Sequence, residues 1–228
     1  MSAPGARERM LGKLRAANPA PAHARADIDA RIAAHYAPVA STRDERVAAL
    51  TTAMRAVRAE VWTASPTAWP MELAARLAAQ GVKNILLDTA RAEGAALAAA
   101  LPASVKPVTF ERPLEEWKAA LFDEVEAGFT PARSGIAATG TLILAPDRGT
   151  PRTVSLAPPL HVALVYASTL HADMYAAVKA EGWAGGMPTN LVLASGPSKT
   201  SDIQQTLAYG AHGPRAMWVV VVMDGADA

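Results

Sequence analysis

Three short segments in the second half of the chain carry residue types that chemistry can use. Ser195-Gly-Pro-Ser-Lys-Thr-Ser-Asp202 places four hydroxyls, a lysine and a carboxylate within eight residues. The apolar run before it reads as a strand ending at Ala194, and Ile203-Gln-Gln-Thr-Leu207 after it reads as a helix. Free amides at a helix start, with Ser198 or Thr200 as cap, Gly196 in the turn and Lys199 adding charge, suit a carboxylate or a phosphate. The alternative is plain capping with a surface lysine. The Lys-Thr pair is similar to a P-loop, but residue 198 is serine and no glycine stands at 193, so ATP hydrolysis is not expected.

The second segment is Ser134-Gly-Ile-Ala-Ala-Thr-Gly140, which leads straight into Thr141-Leu-Ile-Leu144. Gly135, Ala137 and Gly140 stand at the offsets of a dinucleotide fingerprint. Alanine replaces the glycine that lets the backbone approach a pyrophosphate, and the segment precedes a strand instead of following one. That excludes a Rossmann cofactor site. Two readings remain: a tight glycine turn feeding a core strand, or a loop whose Thr139 hydroxyl and Gly140 amide face a ligand.

The third segment, Tyr209-Gly-Ala-His212-Gly-Pro-Arg215, reads as a helix C-cap at Gly210 and a turn at Gly213-Pro214. His212, held between glycines near strand ends, is a binding candidate. His161, opening a strand after Pro158-Pro159, is a secondary one, while His23, His35 and His171 are assigned no role. His161, His212 and Asp202 are ligand types for a metal, but no sequence spacing joins them, and none is expected to hold one.

These segments need a scaffold. Residues 1–59 read as a helical arm: a charged helix from Arg7 to Ala17, a second from Asp27 to Tyr36, and a third opened by the capping box Thr42-Arg-Asp-Glu45 and running to about Arg58. Residues 60–228 read as the main domain. Val61-Trp-Thr, residues 84–87 and residues 105–110 read as strands, alternating with helices from Ser65-Pro66 to Ala79, Arg91 to Leu101 and Pro113 to Leu121. Further strands are read at 141–145, 161–166, 190–194 and 217–223, with a helix from Asp173 to Glu181. Such alternation predicts an α/β three-layer sandwich with a mainly parallel sheet and helices on both faces.

Composition removes whole classes of function. Of 228 residues 51% are hydrophobic, but 53 are alanine, which favours helix while burying little area. There is no cysteine, which excludes disulfides, thiol nucleophiles, thiolate zinc sites and cysteine-held clusters on this chain. The net charge of +1 is far from that of a nucleic-acid-binding domain. No apolar run reaches the roughly 18 residues of a membrane span, and no secretory signal opens the chain. A cytoplasmic protein is expected.

Taken in order, Gly135-Ile-Ala-Ala-Thr-Gly-Thr141, Leu156-Ala-Pro-Pro-Leu-His-Val162, Ser195-Gly-Pro-Ser-Lys-Thr-Ser-Asp-Ile203 and His212-Gly-Pro-Arg215 before a valine-rich strand resemble the lactate utilization protein C family, whose domain is called LUD. The resemblance runs from about residue 60 to 223. It implies a fold similar to the glucosamine-6-phosphate isomerase, ribose-5-phosphate isomerase and CoA-transferase group. It also implies a role in bacterial oxidation of L-lactate to pyruvate beside partner subunits that carry iron–sulfur clusters, this chain holding no cofactor itself. Where the family usually has acids, this chain has Ala138 and Gln204, leaving Asp202 as the acid within the motifs. The expected role is therefore a subunit that binds a small carboxylate or phosphate-bearing ligand. The alternatives are an autonomous enzyme on a sugar phosphate, acyl-CoA or folate, and a regulatory binding module.

Overall fold

Strand propensity and a proline-free apolar run make Ala216–Val222 the spine of the protein. The computed structural model describes residues 5–17, 22–36, 41–201 and 207–225. In chain order the helices are α1 (Ala6–Ala17), α2 (Ala22–His35), α3 (Arg43–Ala56), α4 (Trp69–Ala79), α5 (Ala92–Ala100), α6 (Leu114–Asp123), α7 (Thr153–Leu156) and α8 (Met174–Ala180). The strands are β1 (Glu60–Ala64), β2 (Asn84–Leu86), β3 (Lys106–Val108), β4 (Ala127–Pro131), β5 (Ser134–Ile136), β6 (Thr141–Leu144), β7 (Leu160–Tyr166), β8 (Leu170–His171), β9 (Val192–Ala194), β10 (Lys199–Ser201), β11 (Leu207–Tyr209) and β12 (Ala216–Val222).

Six strands form one parallel sheet in the order β1-β12-β7-β4-β2-β3. The period of two then sorts side chains onto its two faces. Trp218, Val220 and Val222 of β12 join Val162 and Leu164 of β7 in a core with Trp69, Leu73 and Leu77 of α4 and Leu97 of α5. Met217, Val219 and Val221, with Ala163 and Val165, face the other way onto Leu50 and Met54 of α3 and Leu142 and Leu144 of β6. Both faces are covered, so these strands are apolar nearly throughout. The expected α/β class with a mainly parallel sheet and N-terminal helices is what the chain adopts.

Several local expectations need correction. The strands read at 141–145 and 190–194 do not extend the parallel sheet. They become β6 and β9 of a separate four-stranded sheet, β8-β5-β6-β9, in which β6 pairs antiparallel with both β5 and β9. Ser65 does not cap α4 directly: its hydroxyl accepts from the Ala68 amide in a turn, and the helix starts at Trp69 with Pro70 in its first turn. β4 carries no strand signal in its sequence, because Gly128 and Pro131 resemble loop residues. Gly128 is nevertheless demanded by packing, since a Cβ there would lie 2.0 Å from the Val154 carbonyl oxygen of α7.

The chain divides into two units, residues 1–39 and 40–228. The first contains α1 and α2, and α1 buries none of its residues. Although the sequence reading placed α3 in the arm ending at residue 59, α3 belongs to the larger unit, where Leu50 and Met54 are wholly buried. Its capping box forms as read, with Thr42 Oγ1 accepting from the Glu45 amide at 3.2 Å and the Thr42 amide donating to Glu45 Oε2 at 2.8 Å. Among the described residues no helix is long and apolar enough to cross a membrane.

Candidate functional site

His161 is the second residue of β7 and lies opposite Gly128 of β4 and Met217 of β12. Alternation turns it to the face shared with Ala163 and Val165, away from α4 and α5. It is 2% exposed, and its Nε2 sits 2.7 Å from the Thr130 hydroxyl on β4. Burial lowers its pKa to about 4, so the imidazole is neutral at neutral pH. A buried polar ring on a core strand needs such a partner, and Thr130, itself buried, supplies it.

The facing wall comes from β9, an edge strand of the smaller sheet. Just past it, Ser195 Oγ lies 2.8 Å from Thr141 Oγ1, which lies 2.7 Å from Thr139 Oγ1. The chain then turns at Gly196, whose φ of +126° strains any other residue and whose Cβ would meet Val57 Cγ2 at 2.6 Å. The α3 C-terminus thus seats the Ser195 loop. Ser198 is tied down twice: its amide donates to the Pro214 carbonyl at 2.8 Å, and its carbonyl accepts from the Gly210 amide at 3.0 Å. These bonds bring the segment before β12 against the segment after β9.

Between the two walls is a cavity of about 230 Å³. It is lined by Ser155 and Leu156 of α7, His161 of β7, residues 192–196, Ser198, and His212, Gly213 and Pro214 before β12. The close approach that Gly128 allows is what carries α7, and with it Ser155, to this rim. Hydroxyls and imidazoles line the cavity together with apolar atoms, and among the described lining residues there is neither a carboxylate nor a lysine. Such a set can offer hydrogen bonds to an oxygen-rich ligand, with apolar contact from Leu156 and Pro214.

The segments singled out by sequence are distributed unequally around this cavity. Ser195, Gly196, Ser198, His161 and His212 line it. Lys199 and Thr200 do not, because residues 199–201 are β10, paired antiparallel with β11, where the sequence reading places a helix start; residues 203–206 of that helix lie outside the described residues. Gly210 accordingly is no helix cap. It follows β11 with φ +82° and packs on Arg215. Asp202 and Gln204 lie outside the described residues.

Gly135 and Gly140 serve packing, the first beneath Leu170 and the second, at φ +59°, against Ala53 and Met54 of α3. The glycine-turn reading of 134–140 therefore describes the backbone, as the β5–β6 hairpin. Thr139 reaches the site only through Thr141 to Ser195. His212 also needs a correction: it precedes β12, so the cavity opens at the N-terminal ends of β7 and β12, whereas open α/β sheets usually bind at the carboxyl ends. Sequence reasoning missed Thr130, Thr141 and Ser155 as site residues. Thr141 was within reach, as the strand residue following the glycine turn; Thr130 and Ser155 carry no motif.

Among the described residues no three histidine, aspartate or glutamate side chains gather as a metal site. A second polar cluster lies elsewhere, where Asp147 pairs with Arg91 and accepts from the Thr150 amide and hydroxyl at 2.8 and 2.9 Å. Desolvation works to raise the Asp147 pKa, but Arg91 and Thr150 outweigh it and hold it down at about 2. This cluster fastens the loop before α7.

Comparison with known proteins gives a consistent picture. The sequence profile of the LUD domain matches residues 47–222. A Neisseria meningitidis serogroup B protein described only as uncharacterized is 40% identical over 223 residues, covering 96% of this chain and 94% of that protein. Lactate utilization protein C of Shouchella clausii is 34% identical over 102 residues, 43% of this chain and 44% of its own length. The same-named protein of Halalkalibacterium halodurans is 34% identical over 106 residues, 43% of this chain and 45% of its own. The chain thus spans under half the length of these two relatives. A crystal structure of a DUF162 family protein from Deinococcus radiodurans shares the fold with a TM-score of 0.56 at 20% identity, over 81% of this chain and 99% of that one.

Proposed function

Because the chain belongs to the LUD-domain family, we propose that it acts in lactate utilization as a subunit that binds a small carboxylate and carries no electrons itself. One observation carries this reading: Ser195, Gly196 and Ser198 of one motif, His161 of a second and His212 of a third, far apart in sequence, line a single cavity of about 230 Å³. That volume is scaled to a small molecule rather than a dinucleotide. The lactate utilization proteins named above align over part of their length, and they supply the substrate class.

Oxidation of lactate releases two electrons. With no cysteine in the sequence there is no thiolate to hold a cluster, so in this proposal the electrons pass to iron–sulfur partner subunits. Calorimetric titration of the purified chain with pyruvate, L-lactate and inorganic phosphate tests the binding half. Pyruvate or lactate should bind, and Ser195→Ala together with His212→Ala should weaken that binding by about tenfold or more. Binding of phosphate alone, or variants that match wild type, would remove the carboxylate reading. Deletion of the coding region should block growth on L-lactate, and normal growth without a paralogue would remove the lactate assignment.

A further inference from the structure

His161 and Thr130 face each other as two groups that can each either donate or accept, and the surroundings decide which does. Thr130 is 6% exposed, and among the described residues its hydroxyl has His161 Nε2 as its hydrogen-bond partner. Were Nε2 to carry the imidazole proton and donate to Thr130, the threonine's own proton would be buried with no acceptor. That is the costly arrangement for a hydroxyl. With the threonine donating, both groups are satisfied and the ring proton must reside on Nδ1.

Nδ1 is the nitrogen left for the cavity. It has no protein partner among the described residues, and it is not among the buried side-chain atoms that lack both partner and accessible surface. His161 is a lining residue of this cavity, and we assign that remaining Nδ1 surface to the cavity wall.

We propose that Thr130 is a positioning residue which fixes the His161 proton on Nδ1, so that the cavity offers its ligand a neutral N–H donor and selects an oxygen acceptor such as a carboxylate or ketone. This deepens the binding reading above and rests on that cavity being the site. The neutral state follows from the same burial that suppresses protonation. A neutral donor in a cavity whose described lining has no lysine makes orientation, rather than net charge, the basis of recognition. An ammonium-bearing ligand finds no acceptor at this position.

Long-range proton–nitrogen NMR of the ¹⁵N-labelled full chain at pH 7 reads the tautomer directly. His161 should show Nδ1 as the protonated nitrogen and Nε2 as the bare one. In Thr130→Val, which keeps shape and strand propensity, that preference should be lost, and Thr130→Ser should restore it. Pyruvate affinity should drop about tenfold or more in Thr130→Val and recover in Thr130→Ser. A wild-type His161 protonated on Nε2, or a tautomer indifferent to Thr130→Val, would overturn the proposal. If the tautomer behaves as stated but pyruvate does not bind wild type, the assignment of the donor stands and the carboxylate reading of the site fails.

Discussion

Gly128→Ala is the substitution whose effect the structure specifies most closely. A Cβ at this position of β4 would lie 2.0 Å from the Val154 carbonyl oxygen, 3.0 Å from its carbonyl carbon and 3.1 Å from Pro158 Cγ. Restoring an ordinary contact with that oxygen requires α7 to retreat by about 1.4 Å, and the obstacle is backbone, with no rotamer to give way. Overpacking of this kind costs 1–3 kcal/mol, and the rigid neighbour places Gly128→Ala near ~3 kcal/mol. For a unit of this size that is roughly 6–12 °C in melting temperature. Because α7 carries Ser155 and Leu156 to the cavity rim, ligand affinity should fall with stability. Thermal melts followed by circular dichroism, with Gly185→Ala as the control that meets nothing within 4 Å, measure the first effect. A Gly128→Ala protein melting within about 2 °C of wild type would refute the claim that the glycine is what seats α7.

His161 predicts an acid-side loss of stability. Its folded pKa of about 4 lies below its ordinary 6.5, so the unfolded chain takes up the extra proton first. Stability is therefore whole above about pH 6.5, declines by about 3 kcal/mol toward pH 4 and then levels, and His161→Gln should remove that slope in urea titrations at pH 7 and 4.5. Asp147, held at about 2 against its ordinary 3.8, contributes above pH 3.8 and loses that contribution as pH falls toward 2. Asp147→Asn should flatten the acid limb while costing under about 1 kcal/mol at pH 7, since the pair with Arg91 is largely exposed. Thr42→Ala removes one half of the capping box and should cost about 1 kcal/mol in the same denaturant assay.

What the sequence revealed depended on whether a local signal had one physical cause. The Thr42–Glu45 box and the unbroken Trp-Val-Val-Val-Val run admit few other readings, and both elements form where expected. The hydroxyl-rich stretch after Ser195 was ambiguous, because serine and threonine cap helices, close turns and, for threonine, favour strands. There residues 199–201 pair with 207–209 as β10 and β11, so no helix starts at the expected cap positions, and residues 203–206 of the helix read there lie outside the described residues. β4 stayed hidden because its glycine answers to α7, a neighbour about 25 residues ahead in the chain, and not to its own strand. Within the site, His212 and the serines stood in recognisable motifs. Thr130 and Ser155 matter only through where β4 and α7 are placed, which no spacing along the chain encodes.

The cavity has one wall on the parallel sheet, at His161, and the other on the edge of the antiparallel sheet, at β9 and Ser195. A molecule seated there would brace two separately hydrogen-bonded sheets, touching each through that sheet's own residues, His161 on one side and Ser195 on the other. Its grip depends on the spacing of the sheets, so a change in that spacing would change the fit of the occupant. Conversely, occupancy should stiffen the joint and slow amide exchange in β9 more than in β12, whose place deep in the larger sheet is already secure.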